Sequence, residues 1–138
     1  MTDGTGQVVD FQDIGTMRNH LHLLSNDLRH LRLQAFQTVT GFSPSEMART
    51  LEVHRPRVYR EEILLEKTLK KRIIMLVWAT DLAYELLGKD SQKATLWLMA
   101  PNGVFGGDSP FEVILRGEGN HVVDFLLERS GLKAGAAF

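Results

Sequence analysis

The sequence predicts an all-α protein, in which a long helix joins an N-terminal helix-turn-helix lobe to a small second helical lobe. Three observations indicate this fold class. Apolar residues recur at helical spacing over residues 17–35 and again over residues 63–87. A helix-start signature stands at residues 43–46. No segment shows the alternation of apolar and polar residues that is typical of a half-buried strand.

Charge is distributed unevenly along the 138 residues, although the formal net charge is only −1. Residues 1–17 carry three Asp and no basic side chain. Residues 18–72 carry eleven Lys and Arg against six Asp and Glu, whereas residues 73–138 carry five against eight. A basic middle between acidic ends indicates one anionic partner and a second partner of another kind.

Composition excludes several classes of protein. The chain has no cysteine, which rules out a disulfide framework and a thiolate metal site and fits a reducing cytoplasm. The acidic N-terminus has no apolar core of a signal peptide, and the longest apolar run, residues 73–79, is far shorter than the roughly 20 residues that span a bilayer. We expect a cytoplasmic protein without a membrane segment, in which residues 1–16 form a flexible tail.

The first predicted helix covers residues 17–35. Its apolar residues follow a spacing of four and three that places them on one seam, and Gly41 is the expected C-terminal cap. The seam packs either on its own domain or against a second copy of the chain, and the sequence leaves both options open. Its members are Met17, Leu21, Leu24, Leu28, Leu31 and Ala35.

A helix-turn-helix is predicted over residues 44–63. Ser43 fits the N-cap of the helix Pro44–Leu51, and Glu46 completes a capping box. A second helix is expected to start at Arg55 and to enter a major groove of double-stranded DNA. Glu52 occupies the turn position that usually holds Gly. Arginines bind guanine or phosphate, so the candidate DNA-binding residues are His54, Arg55, Arg57, Tyr59 and Arg60.

Four helices are predicted after this motif. A long helix over residues 63–87 ends at Gly88, and shorter ones follow at Ser91–Met99, Pro110–Leu115 and residues 121–130. Pro and Gly residues between the first two short helices predict a compact, shaped loop. The loop supplies no general base, nucleophile or metal cage, which indicates a binding surface.

The second half also carries a specific series of residues that surrounds this loop. It consists of Ala94, Trp97-Leu98, Pro101-Asn102, Gly106-Gly107, Ser109-Pro110, Gly119 and Val122-Val123 ahead of Leu126. With the helix-turn-helix, the series resembles the Xre/MbcA/ParS toxin-binding antitoxin family over about residues 31–133. The family usually has Leu after the proline and often Thr before the later Gly, whereas Phe111 and Arg116 stand near those places here.

The resemblance implies a cytoplasmic type II antitoxin with two functional regions. Residues 17–65 would bind the operon's own promoter, and residues 66–138 would bind and inhibit a RES-domain toxin that consumes NAD. Among the toxin-facing residues, Trp97 is expected to lie in the core with Leu98, and Phe105 is expected to be an exposed anchor. The implied toxin-binding residues are Trp97, Pro101, Asn102, Val104, Phe105, Gly106, Gly107, Leu132, Lys133 and Phe138.

The chain is expected to be a binding protein rather than an enzyme. No spacing suggests a catalytic triad or a carboxylate pair, and His20 and His22 lie on different faces of a helix, which disfavours metal binding. We expect no catalytic residue, metal or cofactor. A homodimer is expected because a helix-turn-helix usually binds paired half-sites. The alternative is a stand-alone transcription regulator or a partition-type DNA-binding protein whose C-terminal half only dimerises.

Overall fold

The computed structural model describes residues 18–131 and contains six α-helices and one two-stranded sheet in that part of the chain. The predicted all-α class is therefore confirmed for the bulk of the fold. The helices are α1 (Leu33–Thr40), α2 (Pro44–Leu51), α3 (Lys67–Leu86), α4 (Ser91–Met99), α5 (Pro110–Leu115) and α6 (Gly119–Arg129). The strands are β1 (His30–Arg32) and β2 (Glu62–Leu64), and 3₁₀ segments occur at Arg18–Leu23, Arg55–Tyr59 and Gly103–Phe105.

Two compact units divide between Ile74 and Met75, within α3. The first unit contains the sheet, α1, α2 and the start of α3, and the second contains the rest of α3 and α4 to α6. The assignment of DNA binding to residues 17–65 and of toxin binding to residues 66–138 stays a prediction.

The prediction of a single helix over residues 17–35 is wrong. The chain instead forms a 3₁₀ segment, a turn, β1 and then α1. Leu28 adopts φ 62°, which a helix does not allow, and the Asp27 carboxylate accepts a hydrogen bond from the Arg29 N–H (3.0 Å). Leu31 lies in β1, and its side chain is buried there. Met17 lies outside the described residues.

The small sheet is the part of the fold that the sequence did not predict. β1 and β2 pair antiparallel, with Leu31 opposite Ile63. Three-residue strands are too short to display an alternating pattern, so the sequence signal is absent. Because β2 takes residues 62–64, α3 begins at Lys67 rather than at residue 63.

Two predicted caps in the first unit are present in the structure, at the start of α2 and at the end of α1. The Ser43 hydroxyl accepts from the Glu46 N–H (3.1 Å), and the Glu46 carboxylate accepts from the Ser43 N–H (2.8 Å), so the capping box of α2 is confirmed. Gly41 ends α1 with φ 72°, as expected. Phe36, Met47 and Leu31 are fully buried in the core of this unit.

The second unit is built from short capped helices around a buried apolar core. The predicted bounds of α4 and α5 are confirmed, and both have a side-chain cap, from Asp90 and Ser109 respectively. Helix α6 begins at Gly119, two residues earlier than predicted. A Cβ at Gly119 would lie 3.0 Å from the Met75 Cβ, so this buried position admits only glycine without a shift. The fully buried large side chains of the second unit include Leu76, Leu98, Phe111, Val113 and Ile114.

Candidate partner-binding surfaces

The first candidate surface is a basic turn after α2, which we call the arginine turn (residues 52–60). Glu52 adopts the left-handed conformation (φ 55°, ψ 47°) that this turn requires, although the position usually holds Gly. The Arg72 guanidinium donates to the Thr50 carbonyl (2.9 Å) and lies 3.6 Å from the Glu52 carboxylate. A cation thus binds the Thr50 carbonyl in the last turn of α2 and stabilises the start of the arginine turn.

The prediction of an α-helix as the second helix of the helix-turn-helix is wrong. Arg55–Tyr59 is a five-residue 3₁₀ segment, closed by a hydrogen bond from the Arg57 N–H to the His54 carbonyl (2.9 Å). Arg60 is extended (φ −73°, ψ 163°), and the chain then enters β2. The pairing with β1 ends the helical geometry, so no recognition helix follows α2.

The arginine turn nevertheless presents every predicted DNA-binding side chain to solvent. Val58 alone of Arg55–Tyr59 is buried, and it anchors the segment. Tyr59 is 70% exposed. The guanidinium groups of Arg55, Arg57 and Arg60 form no ion pair with another residue in the described part of the chain. Three exposed cations on one short turn can bind an anionic backbone such as phosphate. The five side chains are His54, Arg55, Arg57, Tyr59 and Arg60.

The second candidate surface is the loop over residues 101–108, which we call the Asn102 loop. The Asn102 side-chain oxygen accepts from the Val104 N–H (3.0 Å), and the Asn102 carbonyl accepts from the N–H groups of Phe105 and Gly107 (both 3.0 Å). The Asn102 N–H donates to the Asp108 carbonyl (3.1 Å). Asn102 therefore shapes the loop by four hydrogen bonds. Its expected direct contact with a toxin stays a prediction.

Two glycines and an ion-pair network complete the loop. Gly106 and Gly107 have φ values of 69° and 94°, which disfavour other residues. Arg116, after α5, pairs with Asp108 (2.7 Å) and with Glu118 (2.6 Å). The hydrogen bond from Arg116 and its positive charge lower the pKa of Glu118 below its ordinary value. The pKa of Arg116 is raised by the hydrogen bonds to both carboxylates.

An aromatic cluster supports the Asn102 loop from α6. Trp97 and Phe125 stack with their ring centroids 6.2 Å apart and their planes 9° apart, and Phe105 meets Phe125 edge-on at 5.7 Å. Phe105 is half-buried, so the expectation that its side chain is exposed is wrong, whereas its contact with a toxin stays a prediction. Leu98 is in the core as expected, whereas Trp97 is half-buried. Val104 is an apolar side chain that the loop presents to solvent, with 57% of its surface exposed.

An open apolar groove of about 340 Å³ lies beside this cluster, and we call it the aromatic groove. Its aromatic wall is formed by Trp97 and Phe125, and its basic rim by Arg129, whose guanidinium carbon lies 5.0 Å from the centre of the Phe125 ring. The remaining lining residues are aliphatic: Ala83, Leu86, Leu87 and Leu126.

Of the residues that line this groove, only Trp97 is among the binding residues predicted from the sequence. The positions of Phe125 and Arg129, four residues apart on one face of α6, are the signal that indicates a shared surface. Pro101, Gly106 and Gly107 are exposed on the Asn102 loop, as a contact role requires. The predicted tail contacts Leu132, Lys133 and Phe138 lie outside the described residues.

The comparisons with known proteins bear on the fold. No protein-family model and no curated protein sequence matches the chain. Among solved structures, a chain of the M. tuberculosis MbcT–MbcA toxin–antitoxin complex is similar, with a TM-score of 0.56. The two chains share a fold. The similarity covers 78% of this chain and 95% of that chain, at 18% sequence identity.

Between residues 18 and 131, no helix combines the length and the apolar character that crossing a membrane demands.

Proposed function

We propose that the protein is a cytoplasmic type II antitoxin, which binds and inhibits a RES-domain toxin that consumes NAD. The observation that carries the proposal is the shared fold: most of this chain matches nearly all of a chain from a toxin–antitoxin complex. One fold can serve many functions, so the surfaces of the second unit must also suit the role.

Those surfaces suit the binding of a protein. The Asn102 loop is ordered by its own hydrogen bonds, which lowers the entropy lost when a partner docks on it. Val104 and Leu96 expose apolar side chains (57% and 69%), and the aromatic groove exposes more apolar surface. Apolar patches with a polar rim are typical of protein interfaces. The RES class of the toxin and its consumption of NAD follow from the family resemblance of the series around the loop.

We propose further that the arginine turn binds the promoter of the antitoxin's own operon. The support is the exposure of Arg55, Arg57 and Arg60 on a turn that Arg72 and Val58 hold in place. Because the segment is a short 3₁₀ turn, we assign these arginines to phosphate contacts rather than to reading bases from a recognition helix. Paired half-sites would require a homodimer, which light scattering would detect.

Co-expression tests the antitoxin proposal. If a gene beside this one encodes a RES-domain protein, as the proposal expects, that protein would be expressed alone or with this chain, and growth, cellular NAD and co-purification would be measured. We expect the toxin alone to deplete NAD and arrest growth, and the pair to grow and co-purify. A chain that neither protects the cells nor co-purifies with the toxin would contradict the proposal. An isolated gene whose product binds only DNA would favour the stand-alone regulator.

A further inference from the structure

The aromatic groove combines apolar walls with one basic group, and this combination specifies what fits it. Leu86 at the end of α3, Leu87 directly after it, Trp97 of α4 and Phe125 of α6 supply apolar lining. The groove is open to solvent, so these side chains offer a surface for docking rather than a closed core. A ligand must therefore bring apolar side chains to displace water from the groove.

Arg129 is the only charged residue that lines the groove in the described part of the chain. Its guanidinium lies over the Phe125 ring, and no ion pair joins it to a described acidic residue. Contact with the ring restricts the side chain and leaves the N–H edge available for a carboxylate. Residues 73–138 carry eight acidic and five basic residues, so Arg129 is a positive charge in the part of the chain that is acidic overall.

We propose that the aromatic groove docks a segment of the toxin in which apolar side chains flank an Asp or Glu, and that Arg129 binds this carboxylate. Charge complementarity selects this occupant: an apolar segment without a carboxylate would leave the guanidinium desolvated and unpaired. The inference rests on the proposed antitoxin function and deepens it, since it assigns the chemistry of the partner to one surface.

Matched substitutions on the full chain test the assignment. Arg129→Glu reverses the charge on the rim, and Leu86→Glu places a charge in the groove. Their controls are Lys93→Glu, at an exposed residue of α4, and Leu64→Glu, at an exposed apolar residue of β2, neither of which lines the groove. Affinity for the RES-domain protein of the co-expression test would be measured by calorimetry, with circular dichroism and thermal unfolding as checks of folding.

We expect Arg129→Glu and Leu86→Glu to raise the Kd by about tenfold or more, as for a residue at an interface centre, and the controls to change it by less than about threefold. Arg129→Lys keeps the positive charge but lacks the planar guanidinium, so its Kd should lie between those of the wild type and of Arg129→Glu. A folded Arg129→Glu variant that binds like the wild type would overturn the inference while leaving the antitoxin function intact. A wild-type chain that does not bind the RES-domain protein would contradict the proposed function itself.

Two further measurements exclude other occupants. If deletion of residues 132–138 tightens toxin binding by the wild type but not by Arg129→Glu, the chain's own tail fills the groove and the inference is overturned. If Arg129→Glu converts a dimer to a monomer in light scattering, a second copy is the occupant, which also overturns it. A lysine scan of toxin carboxylates should yield one that restores binding to Arg129→Glu, and a scan without such a residue contradicts the assigned ion pair.

Discussion

The indole of Trp97 lies almost parallel to the ring of Phe125, with 9° between their planes and 6.2 Å between their centroids. The same ring contacts the edge of Phe105 and lies beneath the guanidinium of Arg129. Phe125 thus joins helix α4, the Asn102 loop and the rim of the aromatic groove. The two candidate contact surfaces of the second unit share this one side chain.

Phe125→Leu should lower the free energy of unfolding by about 1–2 kcal/mol, because leucine keeps an apolar side chain but loses the aromatic pairs and the cation–π contact. Urea unfolding monitored by circular dichroism measures the change. Tyr84→Leu is the control, since Tyr84 is 37% exposed and should cost less than about 0.5 kcal/mol. Equal effects of the two substitutions would contradict the organising role of Phe125.

Asn102→Ala should destabilise the Asn102 loop by about 1 kcal/mol, because the Val104 N–H loses its side-chain acceptor. Asn102→Asp keeps an oxygen at the same place and should retain most of the stability. Amide hydrogen exchange at Val104 reports the local effect, and we expect faster exchange in the Ala variant only. Identical exchange in both variants would show that the cap does not hold the loop.

The Glu118 carboxyl should titrate below its ordinary pKa of 4.5, because Arg116 donates a hydrogen bond to it and adds a positive charge. A lowered folded-state pKa means that the ion pair stabilises the fold above the unfolded-state pKa. This contribution is lost as the pH falls through the lower folded-state value. NMR titration of the carboxyl carbon would measure the pKa, and Arg116→Gln should raise it toward 4.5. The control Arg129→Gln should leave it unchanged, and a Glu118 pKa at its ordinary value in the wild type would contradict the pairing.

Arg55→Ala, Arg57→Ala and Arg60→Ala should each weaken promoter binding and reduce the dependence of log K on log salt by about one, if each guanidinium neutralises a phosphate. Weakening should be nearly uniform across DNA sequences, because phosphate contacts carry no base information. Fluorescence anisotropy at several salt concentrations measures both quantities. The exposed Lys89→Ala variant is the control. Unchanged affinity in the triple alanine variant would sink the assignment of DNA binding to the arginine turn.

The parts of the fold that the sequence predicted are those with local signals. Ser43 and Ser109 precede helices and accept hydrogen bonds from N–H groups three residues later, so each start can be read from four residues. Gly41 ends α1 in the left-handed conformation that its lack of a side chain favours. The turn at Glu52 was recognised from its place in the motif, although a non-glycine residue adopts it.

The parts that the sequence did not predict depend on distant partners. The spacing of Leu24 and Leu31 suits the apolar seam of a helix. In the structure both side chains are buried, but Leu24 lies in an isolated β-bridge and Leu31 lies in strand β1. The Leu33 N–H donates to the Glu61 carbonyl (3.0 Å), and this contact helps to draw the chain after the arginine turn into β2. Tertiary pairing of this kind overrides local helix propensity.

The candidate partner-binding surfaces were likewise predicted only where the sequence signal is local. The Pro-Asn pair and the two glycines identified the Asn102 loop, because their turn chemistry is local. The packing of Phe105 on Phe125, which buries part of the expected anchor, joins two elements that no spacing rule relates. The aromatic groove was missed for this reason, since α3, α4 and α6 each supply part of its wall.

The central claim is tested most directly by NAD consumption in vitro. The RES-domain toxin that the proposal expects to be encoded beside this gene would be purified, and its consumption of NAD would be followed with increasing amounts of this chain. The account predicts that consumption stops near a fixed molar ratio, and that Arg55→Ala/Arg57→Ala/Arg60→Ala inhibits as well as the wild type. Undiminished NAD consumption in the presence of excess folded chain would contradict the account.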